Sequence, residues 1–301
     1  MPGRAHPGRA FHLGDLQRAE YDIIHDSGSD RHGRSRRMDF SKMNKIIEGK
    51  TKIIYENPDD KDTVFMVFKD DITAGDGVKH DIIQGKALVD WQTNRDIYEY
   101  LNRCGVRSHY ISSPEEKVSV VKKLERKINL EVVSRRVAAG SILHWGKGIQ
   151  EGDRYDPVIT QFHYKDDPLH DPMLDDEYIE YMIRAKNSIE YSEARRINAL
   201  VFDCLERAFA AFGVQLIDFK LEYGMIKGEV VLIDEITGGS FRLWPYKTDK
   251  PNLNQPNILS ELDPAGRLDK DVYRMGGELG EVKDKFGAIA AITAKFKDLP
   301  A

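Results

Sequence analysis

The run of residues 214–223, in which apolar and charged side chains alternate, constrains the fold of this chain more than any other feature. Successive side chains of a strand point to opposite faces, so one face of this strand is apolar and the other is charged. A second run rich in β-branched residues, 229–236, follows after the glycine-bearing segment 224–228. The pattern predicts an antiparallel hairpin whose apolar face packs on a core. The charged face would carry Asp218, Lys220 and Glu222.

This charged face predicts a magnesium site. If Tyr223 pairs with Glu229 across the turn, Asp234 lies opposite Asp218 on the same face. Carboxylates grouped beside a lysine suit Mg²⁺, which takes oxygen ligands and shares them with phosphates. The alternative is a solvated, salt-bridged face of a sheet. A shift of the pairing by one residue would exchange Asp234 for Glu235.

The composition is that of a globular protein. Hydrophobic residues make up 41% of the 301 residues, which is enough for a core and excludes wholesale disorder. The net charge of -5 argues against a protein that coats nucleic acid, and no apolar run reaches the roughly 18 residues of a membrane span. Cys104 and Cys204 cannot form a disulfide framework, which favours a reducing compartment. We therefore expect a soluble, cytoplasmic protein that binds neither nucleic acid nor membranes; the sequence leaves a homo-oligomer open.

The N-terminal segment differs from the rest of the chain. Residues 1–37 contain seven arginines and five acidic residues, and no apolar period runs through them. We predict a disordered extension over residues 1–43, because the acidic residues argue against an organelle transit peptide. The folded part is predicted as a β-rich, ATP-binding subdomain at 44–125 and an α+β subdomain at 126–301 with the substrate and magnesium sites.

Local patterns of apolar residues predict the other elements. Short β-branched runs bounded by glycines indicate strands, and apolar residues spaced three or four apart indicate helices. Strands are predicted at 46–47, 53–55, 63–68, 106–111, 118–124 and 128–133. Helices are predicted at 86–103, 175–185 and 192–212, and in the tail from 269. Hairpins with segregated helices indicate an α+β fold of antiparallel sheets and flanking helices, not a doubly wound sheet.

Two glycine-bearing turns could approach a ligand. In the first, Glu48-Gly49-Lys50-Thr51-Lys52, the glycine lets the backbone come close to a phosphate while Lys50 and Lys52 supply positive charge. The spacing is not that of a Walker A motif, and an ordinary hairpin turn is the alternative. In the second, residues 70–77, Asp76 stands between two glycines, and a plain turn is again the alternative.

Two further motifs carry polar groups. Arg135 begins a run that ends in a small-residue turn at Ser141; arginine can hold a phosphate or carboxylate with two parallel hydrogen bonds, although a surface arginine before a turn is the alternative. Residues 165–172, KDDPLHDP, contain His170 and Asp171, but no second His or Cys stands at zinc-ligand spacing. We interpret this segment as a polar loop bordering an active site. We interpret as structural His144, His163, Trp91 and both cysteines.

Together and in this order, the motifs resemble the SAICAR synthetase family. The resemblance extends from about Lys45 to about Gly276 and is most specific at 218–235. It implies an ATP-dependent ligase of purine synthesis that joins the carboxylate of CAIR, a carboxylated aminoimidazole ribotide, to the amine of L-aspartate, giving SAICAR, ADP and phosphate. It also implies two α+β subdomains, distantly like kinases and ATP-grasp enzymes, with the nucleotide between them. An acyl phosphate of CAIR would be the intermediate.

The resemblance assigns roles to matching residues. Those expected to contact ATP are Gly49, Lys50, Lys52, Lys122, Lys123, Lys220 and Glu222. Asp234, with Glu222, would hold Mg²⁺. Those expected at the CAIR and aspartate sites are Asp76, Arg135, Ser141, Lys165, His170, Asp171, Asp218 and Arg242. The residues expected to act in catalysis are Lys220, Asp234 and Arg242.

One segment departs from the family pattern. Many members have Pro-Asp before a Ser-Arg pair, whereas this chain has Gly238-Gly239-Ser240-Phe241 before Arg242, without the acidic residue.

Two alternative functions remain open. One is a small-molecule phosphotransferase, which a test for aspartate-dependent phosphate release would distinguish from the ligase. A ribotide- or nucleotide-binding module without turnover is the other. The departure at 238–241 motivates the second alternative.

Overall fold

A computed structural model describes residues 38–74, 79–183, 189–269, 271–274 and 277–301 of the chain. Its strands are β1 (Lys45–Glu48), β2 (Lys52–Glu56), β3 (Thr63–Phe68), β4 (Asp71–Ala74), β5 (Lys79–Ile82), β6 (Tyr110–Glu115), β7 (Val118–Lys122), β8 (Arg126–Val137), β9 (Arg154–Tyr164), β10 (Met173–Leu174), β11 (Val214–Ile226), β12 (Glu229–Ile233) and β13 (Phe241–Pro245). Its α-helices are α1 (Lys86–Arg103), α2 (Asp176–Ile183), α3 (Ile189–Ala210), α4 (Asp271–Arg274) and α5 (Leu279–Thr293). None of the described helices is both long enough and apolar enough to cross a membrane.

A five-stranded antiparallel sheet contains the first part of the chain, in the order β1-β2-β3-β7-β6. Alternate residues of β3 pack with α1, where Met66 lies in one apolar cluster with Ala87 and Trp91. The Trp91 indole donates a hydrogen bond to the Val118 carbonyl, 3.1 Å away. Burial of this apolar surface attaches the helix to the sheet.

A second sheet forms around β11. β8 pairs with one edge of β11 along most of its length, and β9 and β10 extend the sheet beyond β8. On the other edge, β13 pairs with the first half of β11 and β12 with the second half. Residues 234–240 therefore leave the sheet near the middle of β11, and the Lys220 N–H donates to the Ser240 carbonyl, 2.9 Å away.

The main core joins α3 and α5 to the second sheet. Phe202 and Phe209 of α3 pack against Phe219 and Phe241, with ring centroids 5.1 and 5.5 Å apart. The same core extends to Ile97 of α1, so apolar burial connects the helix on the first sheet to the second sheet. The expected α+β fold is confirmed. The division at residue 125 remains a prediction. Of the extension predicted at 1–43, residues 1–37 lie outside the described part of the chain, whereas Phe40–Lys42 form a 3₁₀ turn and the Phe40 ring packs beside Tyr55 and Phe65.

Several elements match their predictions closely. The helix at 86–103 and the strand at 63–68 have the predicted bounds, and the glycine turn joins β1 to β2. The predicted strand at 106–111 was placed too early, because β6 begins at Tyr110. The strands β4, β5, β9, β10 and β13 were not predicted. β9 contains Pro157 and polar residues at many positions, a pattern that indicates a loop or an edge strand.

The predicted register of the central hairpin is wrong. Tyr223 pairs with Leu232 instead of Glu229, because the turn contains only Lys227 and Gly228. Both turn residues have positive φ, 51° and 75°, as in the two-residue turns that match the twist of antiparallel strands. Asp234 consequently does not lie opposite Asp218; it follows the end of β12.

Candidate functional site

The polar face of β11 is the centre of the candidate site. The side chains of Asp218 and Glu222 are 5% and 8% exposed, whereas that of Lys220 is 49% exposed. The intervening residues Phe219 and Leu221 are buried in the core. The predicted alternation is therefore present, but the two carboxylates are buried among cations instead of being solvated.

Two cavities adjoin this face. The larger has a volume of about 730 Å³ and extends to the glycine turn of the first sheet. The smaller has a volume of about 280 Å³ and contains the two arginines near Asp218. Both are lined by Glu131, Lys220, Gly239 and Ser240. The larger volume is typical of a small-molecule site, and the shared wall would bring two ligands close together.

The glycine turn meets the end of β12 at the larger cavity. Lys52 forms ion pairs with both Asp234 and Glu235. The Thr51 hydroxyl donates to Glu235 Oε1 at 2.5 Å. Within the turn, the Gly49 N–H donates to the Lys52 carbonyl at 2.8 Å. A lysine is thus held beside two carboxylates at the edge of a cavity that also exposes backbone of the turn.

Asp234 combines an uncommon backbone conformation with a negatively charged side chain. Its φ is 72°, which is uncommon outside glycine, and its carbonyl accepts a hydrogen bond of 2.7 Å from the Tyr98 hydroxyl. Burial raises the pKa of Asp234, but Lys52, Lys127 and Lys165 together lower it more, so its pKa lies below the ordinary value. The carboxylate is therefore ionised at neutral pH.

Two more carboxylates neutralise lysines between the cavities. Glu131 on β8 accepts hydrogen bonds from Lys220 at 2.8 Å and Lys165 at 3.0 Å. Glu222 forms ion pairs with Lys165 and Lys127. Burial raises the pKa of Glu131, but Lys220 and Lys165 bring it below its ordinary value. Glu131 was missed by sequence reasoning; a single carboxylate inside the apolar run 128–133 was the signal.

The smaller cavity is built around Asp218. Its carboxylate accepts hydrogen bonds from Arg135 at 2.5 Å and from Arg242 at 2.8 and 3.1 Å. Arg135 also donates to the Ser141 hydroxyl at 3.3 Å. Gly140 has φ 64°, and a Cβ there would lie 2.8 Å from Arg242 Cζ. The buried carboxylate therefore fixes two guanidinium groups, and a residue without Cβ lets one of them approach the backbone.

The comparisons with known proteins agree with this architecture. The family model described as SAICAR synthetase matches residues 45–289. The chain belongs to the SAICAR synthetase family. Membership implies ATP-dependent ligation in purine biosynthesis, and the expected family and enzyme class are confirmed.

Relatives of the SAICAR synthetase family cover most of the chain. A phosphoribosylaminoimidazole-succinocarboxamide synthase of Herpetosiphon aurantiacus is 37% identical over 261 residues, which are 84% of this chain and 98% of that protein. One from Roseiflexus sp. is 41% identical over 239 residues, 76% of this chain and 94% of the relative. The match therefore includes almost the full length of both relatives.

Solved structures of SAICAR synthetases share the fold. One, described as a type-2 SAICAR synthetase in complex with ADP, is 33% identical, with a TM-score of 0.68; the match covers 81% of this chain and 96% of that one. The synthase of Ehrlichia chaffeensis is 31% identical with a TM-score of 0.69, covering 86% and 100% of the two chains.

Most residues expected from the family resemblance line one of the two cavities. The larger is lined by Gly49, Lys50, Lys52, Lys122, Lys123, Lys165, Asp171, Lys220, Glu222 and Asp234. The smaller is lined by Arg135, Ser141, Asp218, Lys220 and Arg242. His170 is exposed and lines neither cavity, and Asp76 lies outside the described residues. The roles of these residues remain predictions.

Core packing accommodates the segment that departs from the family pattern. Phe241 is 4% exposed and contacts Phe209 in the core. A Cβ at Gly238 would lie 2.6 Å from the Phe286 ring, so the glycine lets α5 pack against this segment. Arg242 still pairs in register with Asp218. The altered residues therefore leave the arginine in the smaller cavity.

Proposed function

We propose that this enzyme joins the carboxylate of CAIR to the amine of L-aspartate, using ATP and giving SAICAR, ADP and phosphate. The observation that carries the proposal is the wall shared by the two cavities, where Lys220 and Glu131 border both. A nucleotide on one side and an anionic ribotide on the other would meet at Lys220. We expect the reaction to take place in the cytoplasm.

The larger cavity is proposed for ATP. Lys52 and the backbone of the glycine turn would contact phosphates, because both supply positive charge or N–H donors. The base would lie near residues 122–124, which line the same cavity at the end of β7. A relative that is 33% identical is described in complex with ADP, which supports the binding of a nucleotide.

The carboxylates at the larger cavity fit a magnesium ion that accompanies the phosphates. Among the described residues, no group of three or more His, Cys, Asp or Glu is arranged to hold a metal. Mg²⁺ commonly takes only one or two carboxylates and completes its shell with phosphates and water. Asp234 would be the principal ligand, with Glu222 as the second carboxylate. The ion would neutralise phosphate charge during transfer.

The smaller cavity is proposed for CAIR. Arg135, Arg242 and Ser141 offer guanidinium and hydroxyl donors suited to a phosphate or a carboxylate. Asp218 holds both guanidinium groups in place before the substrate arrives, which lowers the cost of ordering them. The buried ion pairs thereby serve recognition as well as stability.

The proposed chemistry has two steps. A carboxylate oxygen of CAIR attacks the γ-phosphorus of ATP; an O–P bond forms, the bond to ADP breaks, and an acyl phosphate results. The aspartate amine then attacks the acyl carbon, a C–N bond forms, phosphate leaves with the C–O electron pair, and the amine loses a proton. Lys220 would neutralise the transferred phosphoryl group. The segment 165–172, with Lys165, His170 and Asp171, would border the aspartate site.

Phosphate release tests the proposal directly. The enzyme is incubated with ATP, Mg²⁺ and CAIR, with and without L-aspartate, and the products are identified by mass spectrometry. Release that requires both substrates, together with the succinocarboxamide product, would support the ligase. Release independent of aspartate would favour a phosphotransferase. Binding of ATP and CAIR without release would overturn the proposal and favour a binding module.

A further inference from the structure

His163 has a position that its interpretation as a structural residue does not explain. It lies near the end of β9, where it pairs with Glu131 of β8 on one side and Met173 of β10 on the other. Its imidazole is half-buried and lines the smaller cavity together with Arg135 and Arg242. The proposed function leaves this side chain without a role.

The hydrogen bond of Nδ1 defines the tautomer of His163. Nδ1 lies 3.0 Å from the carbonyl oxygen of Asp171, and a carbonyl can only accept. Nδ1 therefore carries the proton. Burial lowers the pKa of His163, whereas the Asp171 carbonyl and Glu131 raise it and Arg135 and Lys220 lower it further. The pKa lies below its ordinary value, so the ring is neutral at pH 7. Nε2 is consequently an acceptor with a free lone pair.

Within the described part of the chain, His163 Nε2 has no hydrogen-bond partner although it is buried. Buried polar atoms of proteins are nearly always paired, and an unpaired acceptor destabilises the protein that contains it. Arg135 and Arg242 line the same cavity, but their guanidinium groups donate to Asp218 instead. The ring borders the smaller cavity but almost no surface of Nε2 is open to it, so a ligand there would supply the missing donor by shifting the ring as it binds.

We propose that His163 Nε2 accepts a hydrogen bond from an uncharged N–H or O–H group of the ribotide in the smaller cavity. The lone pair of a neutral imidazole would repel a phosphate or carboxylate oxygen. It suits the amine on the imidazole ring of CAIR or a ribose hydroxyl. His163 is thereby a specificity-determining residue. A bond from the ring amine would select aminoimidazole ribotides, and a bond from the 2′-hydroxyl would select ribotides over their 2′-deoxy analogues. The identity of the ligand rests on the proposed function.

Two substitutions separate the two ring nitrogens. His163→Asn places an amide near the position of Nδ1 and can keep the bond to Asp171, but it leaves nothing at Nε2. His163→Gln reaches the position of Nε2 with an amide oxygen. His144→Asn is the matched control, since His144 is exposed and lines neither cavity. Calorimetry measures the binding of CAIR and of ATP to each variant.

We expect His163→Asn to raise the Kd of CAIR about tenfold, as loss of one hydrogen bond from a buried site would. The Kd of ATP should stay within about twofold, and His163→Gln should recover most of the CAIR affinity. Equal CAIR affinity in wild type and His163→Asn would overturn the proposal. So would an equal loss of ATP affinity, which would indicate a structural role.

Analogues of the ribotide identify the donor. A ribotide without the ring amine, or one without the 2′-hydroxyl, should bind wild type about tenfold more weakly than CAIR if it lacks the donor. The same analogue should lose no further affinity in His163→Asn. If each analogue loses equal affinity in both proteins, neither group contacts His163 and the proposal is wrong.

A measurement on the wild-type protein tests the proposal even if the variants fail to fold. The ¹⁵N resonance of His163 Nε2 should shift on addition of CAIR but not of ATP; an unchanged resonance would overturn the proposal. All of these readouts report binding. If the enzyme binds CAIR through His163 but forms no succinocarboxamide, the proposed function fails while this inference stands.

Discussion

The Thr51 hydroxyl donates a hydrogen bond of 2.5 Å to the Glu235 carboxylate, although 184 positions separate the two residues in sequence. Thr51 lies in the glycine turn of the first sheet, and Glu235 follows β12 of the second. The same carboxylate pairs with Lys52. The bond therefore fixes the turn proposed to hold phosphates relative to the carboxylates proposed to hold their metal ion.

Thr51→Val removes this hydroxyl while keeping the shape of the side chain. We expect the KM of ATP to rise about fivefold, because the turn loses a hydrogen bond to a charged group worth roughly 1 kcal/mol or more. The KM of CAIR should be nearly unchanged. Thr248→Val, at an exposed position, is the control. Equal increases in both KM values would contradict a role specific to the turn.

Gly140→Ala should damage CAIR binding selectively. The new methyl group would overlap the Arg242 guanidinium and displace it, in addition to the strain of a side chain at φ 64°. Gly213→Ala provides the control, since Gly213 has φ 72° but nothing lies within 4 Å of its added Cβ. Thermal unfolding should show a loss of about 1 kcal/mol in Gly213→Ala and a larger loss in Gly140→Ala. Steady-state kinetics should show a higher KM of CAIR only in Gly140→Ala.

Glu131→Gln should change how stability depends on pH. The pKa of Glu131 is lower in the folded protein than its ordinary value of 4.5, so the unfolded state binds more protons in this range. The stabilisation is present above pH 4.5 and is lost as the pH falls through the folded value. The variant should be less stable than wild type at pH 7, and the difference should shrink in acid.

Urea unfolding at pH 7, 5 and 4 checks this dependence. Glu116→Gln, at an exposed position, is the control and should change stability little at any of the three values. A stability difference between Glu131→Gln and wild type that grew towards pH 4 would show that the sign is wrong. Both variants should be compared at one ionic strength, since salt screens exposed charges.

Asp234→Asn should weaken the use of magnesium and ATP. The substitution keeps the size of the side chain but removes the charge that would bind the ion. We expect the Mg²⁺ concentration needed for half-maximal activity to rise about tenfold or more, a loss of roughly 1.4 kcal/mol of binding. Asp203→Asn, at an exposed position on α3, is the control. An unchanged magnesium titration would remove Asp234 from the proposed metal site.

Deletion of residues 1–37 should leave activity intact. The family model begins at residue 45, and the proposed site residues described here lie after that position. Kinetic constants within about twofold of those of the full chain are expected, a difference of roughly 0.5 kcal/mol or less. A large loss of kcat would show that the extension takes part in folding or function.

The sequence was sufficient for the parts of the site that depend on local pattern. The alternation along 214–223 predicted that Asp218, Lys220 and Glu222 share one face, and they do. The glycine turn lies where it was predicted. The predicted hairpin register was wrong because both strands continue to a two-residue turn. The alternation of apolar and polar residues does not show how long that turn is. Glu131 and the cation contacts of Glu222 depend on β8 pairing with β11, a non-local contact. Their partners therefore became visible only in three dimensions.

The break between β12 and β13 has a consequence for how such enzymes diversify. Both strands border β11, yet residues 234–240 between them belong to neither strand and line both cavities. Connecting segments accept sequence change more readily than the paired strands on either side. This chain has Gly238-Gly239-Ser240-Phe241 in this segment, without the acidic residue that many family members have there. Variation in this segment would therefore reshape the wall between the two cavities while the hydrogen bonds between the strands stay in place.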